Sequence, residues 1–187
     1  MRVLSVFNQI SVDGYIADAG GDMRWAHRTP DGGEWAAWVR GNARGGGELL
    51  FGRKTYDLMA GYWPTPAAAQ HDPVVAERMN ALPKVVFSRT LRSAAWQNTK
   101  VVSGELAGAV RAMKRETGPG MVIMGSGSIV AQLAPEGLID AYQIVVIPVA
   151  LGAGRTMFEG LPRHLDLRLA SSRAFANGNV VLTYEPA

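Results

Sequence analysis

No cysteine occurs among the 187 residues, so neither a disulfide nor a thiolate metal site can form. That absence accords with a reducing compartment. Long apolar runs are missing too. Nothing approaches the roughly 20 residues that span a bilayer, and no transmembrane helix is expected. Met1 to Phe7 has neither the long apolar segment nor the small-residue cleavage site of a secretory signal. A cytoplasmic protein without membrane attachment is expected. Charge of one sign is scarce as well: 19 Lys and Arg against 16 Asp and Glu leave +3. The basic residues are scattered rather than gathered into a run, so nucleic acid is not an expected partner. A small positive balance suits a polyanionic small ligand. The 3 histidines, His27, His71 and His164, lack metal-ligand spacing, and no metal is expected. No repeat, low-complexity tail or linker divides the chain, and its length suits one well-buried core, so a single domain over 1–187 is expected.

What is present is ordinary globular material, 48% apolar and 19% charged. Val3 to Asn8 is β-rich and predicts a central strand. Residues 30–43 open on Pro30 and Asp31 and place Trp35, Trp38 and Val39 at helical spacing, which predicts a helix. Glu48 to Phe51 predicts a buried strand that ends at Gly52 and runs into a helix through Met59. A helix is expected after Pro73. Strands are expected at Lys84–Phe87, at Val101 and Val102, and at Met121–Met124, with a helix over 105–116 before the last. Met124 then enters a Gly/Ser turn and another helix. Ile139–Val149 predicts a long strand. Two final strands, over about 165–176 and 179–185, are joined by Asn177-Gly178, a strong hairpin signal. About eight strands and four or more helices, alternating first and closing in a hairpin, predict an α/β fold. Its central eight-stranded sheet would be mostly parallel, with an antiparallel C-terminal edge and flanking helices. Ligands then belong at the carboxyl ends of the parallel strands.

Three polar clusters fall at such ends. Gly52-Arg53-Lys54-Thr55 lies between a strand and a helix, where two cations oppose the helix dipole. An anion resolves the conflict, because free N–H groups, the dipole and both cations would face it. A solvated helix start after a glycine turn is the other account. Met124-Gly125-Ser126-Gly127-Ser128 is again strand to helix, and missing Cβ atoms let backbone approach a ligand. The alternative is a tight turn with serine caps. Gly125-x-Gly127-x-x-Val130 lacks the third glycine of a Rossmann fingerprint and lies far from the first βα unit. Nor does Ser126 sit in a Gly-x-Ser-x-Gly elbow, which argues against a hydrolase. In Ser88-Arg89-Thr90, two hydroxyls flank a guanidinium and can hold a phosphate monoester, although a polar loop explains this cluster taken alone. Several phosphate-binding turns along one sheet edge point to a dinucleotide.

Five stretches carry a family resemblance. They are Ser11-Val12-Asp13-Gly14-Tyr15-Ile16-Ala17, Leu50-Phe51-Gly52-Arg53-Lys54-Thr55-Tyr56, Val86-Phe87-Ser88-Arg89-Thr90-Leu91, Met124-Gly125-Ser126-Gly127-Ser128 and Pro148-Val149-Ala150-Leu151-Gly152-Ala153-Gly154-Arg155. In this order the chain resembles dihydrofolate reductase. It is more closely similar to the reductase domain of the bifunctional riboflavin-biosynthesis deaminase–reductase and its stand-alone relatives. The resemblance implies a dihydrofolate-reductase-like fold and NADPH as cofactor. It puts Gln9 and Ile16 beside the nicotinamide. Gly52, Arg53, Lys54 and Thr55, with Gly125, Ser126, Gly127, Ser128 and Ile129, would hold the pyrophosphate. Ser88, Arg89 and Thr90 would take the adenosine 2′-phosphate and select NADPH over NADH. It also implies a cis peptide between Gly125 and Ser126, and a two-fold homodimer through the C-terminal part of the sheet, where Ile139–Val149 offers apolar surface.

The substrate side departs from the family. Dihydrofolate reductases pair an acid on the first helix with a threonine on a later strand. Here the nearest acid is Glu34, and the later strand reads Val145-Val146. Glu34 is the candidate catalytic acid, with water the other proton source, and Asp31-Gly32-Gly33-Glu34 also resembles a helix-capping arrangement. Folate is not the expected substrate. Trp38 and Trp63 are candidate substrate contacts among Trp35, Trp38, Met59 and Trp63, which otherwise read as core. Asn8 is another, because a polar side chain inside an apolar strand needs a partner, and in this family that position faces the substrate. Asp13 reads as a turn residue. Gly61 to Pro73 reads as a stiffened lid or an exposed connection. The His-x-Glu and Cys-x-x-Cys elements of a zinc deaminase are missing. The expectation is an NADPH-dependent reductase acting on a small pterin- or ribityl-pyrimidine-like heterocycle. The alternative is a non-catalytic nucleotide-binding module, its pocket filled by Trp38 or Trp63.

Overall fold

The computed structural model describes residues 1–27 and 33–187. The first half runs β1 (Leu4–Ser11), β2 (Tyr15–Asp18), a 3-10 turn (Arg24–His27), α1 (Gly33–Gly45), β3 (Glu48–Gly52), α2 (Arg53–Tyr62), α3 (Pro66–His71) and α4 (Pro73–Ala81). The second half runs β4 (Lys84–Phe87), β5 (Thr99–Val102), α5 (Leu106–Arg115), β6 (Met121–Met124), α6 (Gly127–Leu133), β7 (Ala141–Ile147), β8 (Gly154–Thr156), β9 (Leu167–Ala174) and β10 (Val180–Pro186). The expected helix opening at Pro30 and Asp31, and the Asp31-Gly32 part of the expected cap, lie outside the described residues.

Eight strands form one sheet in the order β5-β4-β3-β6-β1-β7-β10-β9. Every pairing from β5 to β7 is parallel. β10 pairs antiparallel with β7 and with β9, which makes the antiparallel C-terminal edge. The period of two sorts the apolar residues onto two faces. Leu4, Val6, Leu50, Val85 and Ile123 pack in one cluster with Val110 of α5 and Ile129, Val130 and Leu133 of α6. Leu49, Phe51 and Val86 point the other way, with Tyr56 of α2 and Val75 and Met79 of α4. Beside them, Trp35 of α1 joins Trp25, Val145, Ile147, Phe175 and Val181. Gly178, at φ +87, turns the chain between β9 and β10 as the Asn-Gly signal predicts.

Three readings are corrected. β7 ends at Ile147, inside the sheet between β1 and β10, so its apolar residues serve the core and are not free surface. Gly61 to Pro73 is neither a plain lid nor a plain connection, because it contains α3. The Thr65 hydroxyl caps this helix by accepting the Ala68 N–H at 3.3 Å, and Pro66 fits its first turn. β2 and β8, which no periodicity announced, pair antiparallel as a separate two-stranded sheet. They are short, and their pairing is broken by a register shift, so neither shows a repeat.

Candidate functional site

Because β3 and β6 are neighbours, their carboxyl ends bring the two glycine turns side by side. The Ser126 Oγ accepts the Gly52 N–H at 2.9 Å and donates to the Met124 carbonyl at 3.1 Å. Thr55 Oγ1 accepts the Ser126 N–H at 3.2 Å. On the other side, the Gly125 N–H donates to the Phe7 carbonyl at 3.2 Å, and its carbonyl accepts from Asn8 Nδ2 at 3.1 Å. The bond between Gly125 and Ser126 is trans, which corrects the expected cis peptide. Two successive left-handed residues, Gly125 at φ +63 and Ser126 at φ +54, reverse the chain by their dihedrals instead. Glycine at 127 has a packing reason. An added Cβ would stand 2.9 Å from Ile16 Cδ1 and 3.1 Å from the Thr156 carbonyl oxygen, so β2 and β8 press directly on this residue.

α2 begins without a side-chain cap, which leaves the N–H groups of its first turn open to a ligand. Arg53 lies along the helix, its Nε 2.9 and 2.7 Å from the two carboxylate oxygens of Asp57. Lys54 is exposed and has no ion-pair partner among the described residues. One strand further out, the Ser88 hydroxyl folds a turn by accepting the N–H groups of Thr90 at 3.3 Å and Leu91 at 3.0 Å. Arg89 projects from that turn, exposed and unpaired among the described residues. Following the sheet order β4, β3, β6, the strand ends present Ser88–Thr90, Gly52–Thr55 and Gly125–Ile129 in succession, with Gln9 inside the neighbouring β1 before its end at Ser11. The fold thus lines up the three predicted clusters. Gln9 is half-buried, and Ile16 is buried against Gly127. Open N–H groups, two cations unpaired among the described residues and hydroxyls along one edge fit a group that carries several phosphates.

The substrate-side residues are less concentrated. Asn8 is 2% exposed, and its Nδ2 meets Met157 Sδ at 3.0 Å besides the Gly125 carbonyl. Its Oδ1 is buried without a hydrogen-bond partner among the described residues. Trp38 stacks on Trp35 with centroids 5.1 Å apart and meets Phe175 edge-on at 5.8 Å. Trp63 belongs to the other cluster, its Nε1 3.1 Å from Met59 Sδ, and Val39 lies against both clusters. Glu34 is exposed at the start of α1 and pairs with Arg173 of β9 at 2.5 Å. It is thereby joined to the sheet edge opposite β5.

Asp13 does more than shape a turn. Its carboxylate accepts the Ser11 hydroxyl at 2.6 Å and the N–H groups of Leu151 at 3.0 Å and Gly152 at 2.7 Å. These donors, the hydroxyl foremost, hold its pKa at about 2. The only signal for this clamp was that both segments belong to stretches carrying the family resemblance. Two open hollows, of about 680 and 520 Å³, lie along residues 158–167 and between Asp18–Trp25 and Val149–Leu151. Neither is lined by the three polar turns. Among the described residues there is no cluster of His, Asp and Glu able to hold a metal, and no helix long and apolar enough to cross a membrane.

Comparison with known proteins adds the lineage. The chain is 25% identical over 176 residues to the uncharacterised protein YyaP of Bacillus subtilis (strain 168), covering 94% of this chain and 90% of that one. Among solved structures, it is similar to a putative riboflavin biosynthesis protein from Shewanella sp. PV-4. That likeness has a TM-score of 0.79 at 23% identity and covers 99% of each chain. It is also similar to the diaminohydroxyphosphoribosylaminopyrimidine deaminase/5-amino-6-(5-phosphoribosylamino)uracil reductase of Thermotoga maritima, with a TM-score of 0.69 at 12% identity. All of this chain is covered there, but it spans only 57% of that longer protein. At such identities these structures establish the fold, which is dihydrofolate-reductase-like. The model of the RibD C-terminal domain matches residues 2–181, and the chain, with its reductase-type fold, belongs to that family.

Proposed function

We propose that this chain, acting as one domain, is a reductase that binds NADPH across its strand ends. It would pass the hydride to a small heterocycle of the pterin or ribityl-pyrimidine type. The observation that carries the reading is the alignment of three polar turns along the ends of β4, β3 and β6, with Lys54 and Arg89 unpaired among the described residues beside them. In this reading the open start of α2 and Lys54 hold the pyrophosphate with Gly125–Ile129. Arg89, Ser88 and Thr90 take the 2′-phosphate, and Gln9 and Ile16 flank the nicotinamide. Bound there, NADPH supplies a hydride from its nicotinamide ring. The half-exposed Trp38 offers a flat apolar wall to a heterocycle, with Trp63 further along the same side. Asn8 serves the site from beneath, by holding the Gly125 carbonyl. Glu34 would have to leave Arg173 to act as an acid, so this arrangement favours water as the proton source.

The name of the Thermotoga maritima relative, a uracil reductase by its second activity, supports the substrate class. A cytoplasmic homodimer, paired through the C-terminal edge of the sheet, completes the reading. The packing of Trp38 against Trp35 and Phe175 favours a second reading, a nucleotide-binding module without turnover. Titrating NADPH by tryptophan fluorescence, then following its oxidation with folates, pterins and ribityl-pyrimidines, separates the two. Oxidation with a pterin or ribityl-pyrimidine is expected. Tight binding without oxidation favours the module, and no binding refutes both.

A further inference from the structure

We infer that Ser126 is a positioning residue that couples the two halves of the dinucleotide site; the inference rests on the cofactor reading above. Its Oγ takes the Gly52 N–H at 2.9 Å, and its own N–H goes to Thr55 Oγ1 at 3.2 Å, so two bonds join turns from different strands. Ser126 is 8% exposed, and water competes poorly for such bonds. The residue is held at φ 54 and ψ 51, a left-handed conformation that glycine adopts more readily. What serine adds over glycine at this position is the hydroxyl.

From Ser126 the contacts continue in both directions. Gly52 caps α2, where Arg53 and Lys54 stand. Gly127 lies against Ile16, whose Cδ1 would stand 2.9 Å from an added Cβ, and Asn8 of β1 holds the Gly125 carbonyl. A phosphate that orders the start of α2 therefore orders Gly52, then the Ser126 turn, then the Ile16 wall on the nicotinamide side. Binding either half of the cofactor removes part of the ordering cost of the other, which is positive coupling.

The halves can be supplied separately as 2′,5′-ADP and reduced nicotinamide mononucleotide, and their affinities measured by calorimetry alone and together. In the unmutated chain each should tighten the other about fivefold, and in Ser126→Ala the factor should fall to about one. Thr55→Val should abolish the coupling in the same way, while Thr55→Ser, which keeps the acceptor, should retain it. This pair decides the question if Ser126→Ala proves unfolded by its thermal melt. Hydrogen exchange on the ligand-free chain reads the link without any cofactor: the Gly52 amide should exchange about tenfold faster in Ser126→Ala, with the Leu50 amide unchanged. Fragments that bind without coupling, coupling that survives the substitution, or unchanged exchange at Gly52 overturns the inference and leaves the cofactor reading intact. If neither fragment nor NADPH binds the unmutated chain, the cofactor reading fails and the coupling falls with it.

Discussion

The Asp13 carboxylate is exposed, yet its donors hold the 149–152 segment to the turn after β1. Its pKa of about 2 lies below the ordinary 3.8, so the stability it lends is present above that ordinary value and lost as pH falls through about 2. Asp13→Ala should speed amide exchange at Leu151 and Gly152 while β7 amides stay protected; unchanged exchange there would mean other contacts hold the loop. Lys84 carries the opposite case. It is 1% exposed, donates to the carbonyls of Asn80 at 3.0 Å and Leu82 at 2.6 Å, and lies 4.5 Å from the Trp96 ring centroid. Burial pushes its pKa from 10.5 down to about 8. Between those values the unfolded chain binds more protons than the folded one, so stability rises with pH across the window, by about 3 kcal/mol at most. Urea midpoints at about pH 8 and about pH 10 should show a rise that Lys84→Met lacks; equal behaviour of the two chains would contradict the burial account. On the proposed cofactor reading, Arg89 is the residue on which cofactor choice would turn. NADPH should bind more tightly than NADH, and Arg89→Ala should remove about 1.5–3 kcal/mol of that preference. Equal affinity for both cofactors in the unmutated chain would refute the role.

Among the elements, α4 shows how a short helix is started. Asp72 accepts the Val74 and Val75 N–H groups, both at 3.1 Å, and pairs with Arg40 of α1 at 3.2 Å, while Pro73 fits the first turn. Asp72→Ala should cost about 1–2 kcal/mol. Asp72→Asn, which can keep the cap and loses the ion pair, should cost less, and thermal melts of the two variants would separate the contributions. A loss as large in Asp72→Asn as in Asp72→Ala would place the effect in the Arg40 pair. The proline that opens α4 was enough to read that helix from sequence. The same pattern in Thr65-Pro66 was available for α3 but was outweighed by the prolines at 64 and 66, which read as a loop. β2 and β8 offered no comparable signal, because a bulged pairing of so few residues has no period to detect.

At the scale of the molecule, β9 is an edge strand whose residues from Arg168 to Ala174 are all exposed, with Leu169 49% accessible. An unpaired edge of this length invites a partner. The proposed dimer is therefore expected through β9, since β7 is enclosed by its neighbours. Light scattering at micromolar concentration should give twice the chain mass, and Leu169→Lys should shift it towards one; a monomer in the unmutated protein would refute the pairing.

Local chemistry was sufficient for the buried strand at Glu48–Phe51, for the Asn177-Gly178 hairpin and for the position of three polar turns at strand ends. Each depends on side-chain period or turn dihedrals within a few residues. The joins between those turns were not legible, because their partners are remote in the chain. Gly52 and Ser126 are separated by 74 positions, Asn8 and Gly125 by 117, and Asp13 and Leu151 by 138. Glu34 illustrates the difference. Its place in the first turn of a helix followed from the sequence, whereas its partner, Arg173, stands 139 positions away. Which side chains meet across such distances is set by strand order and register, and these are chosen by the packing of the whole core.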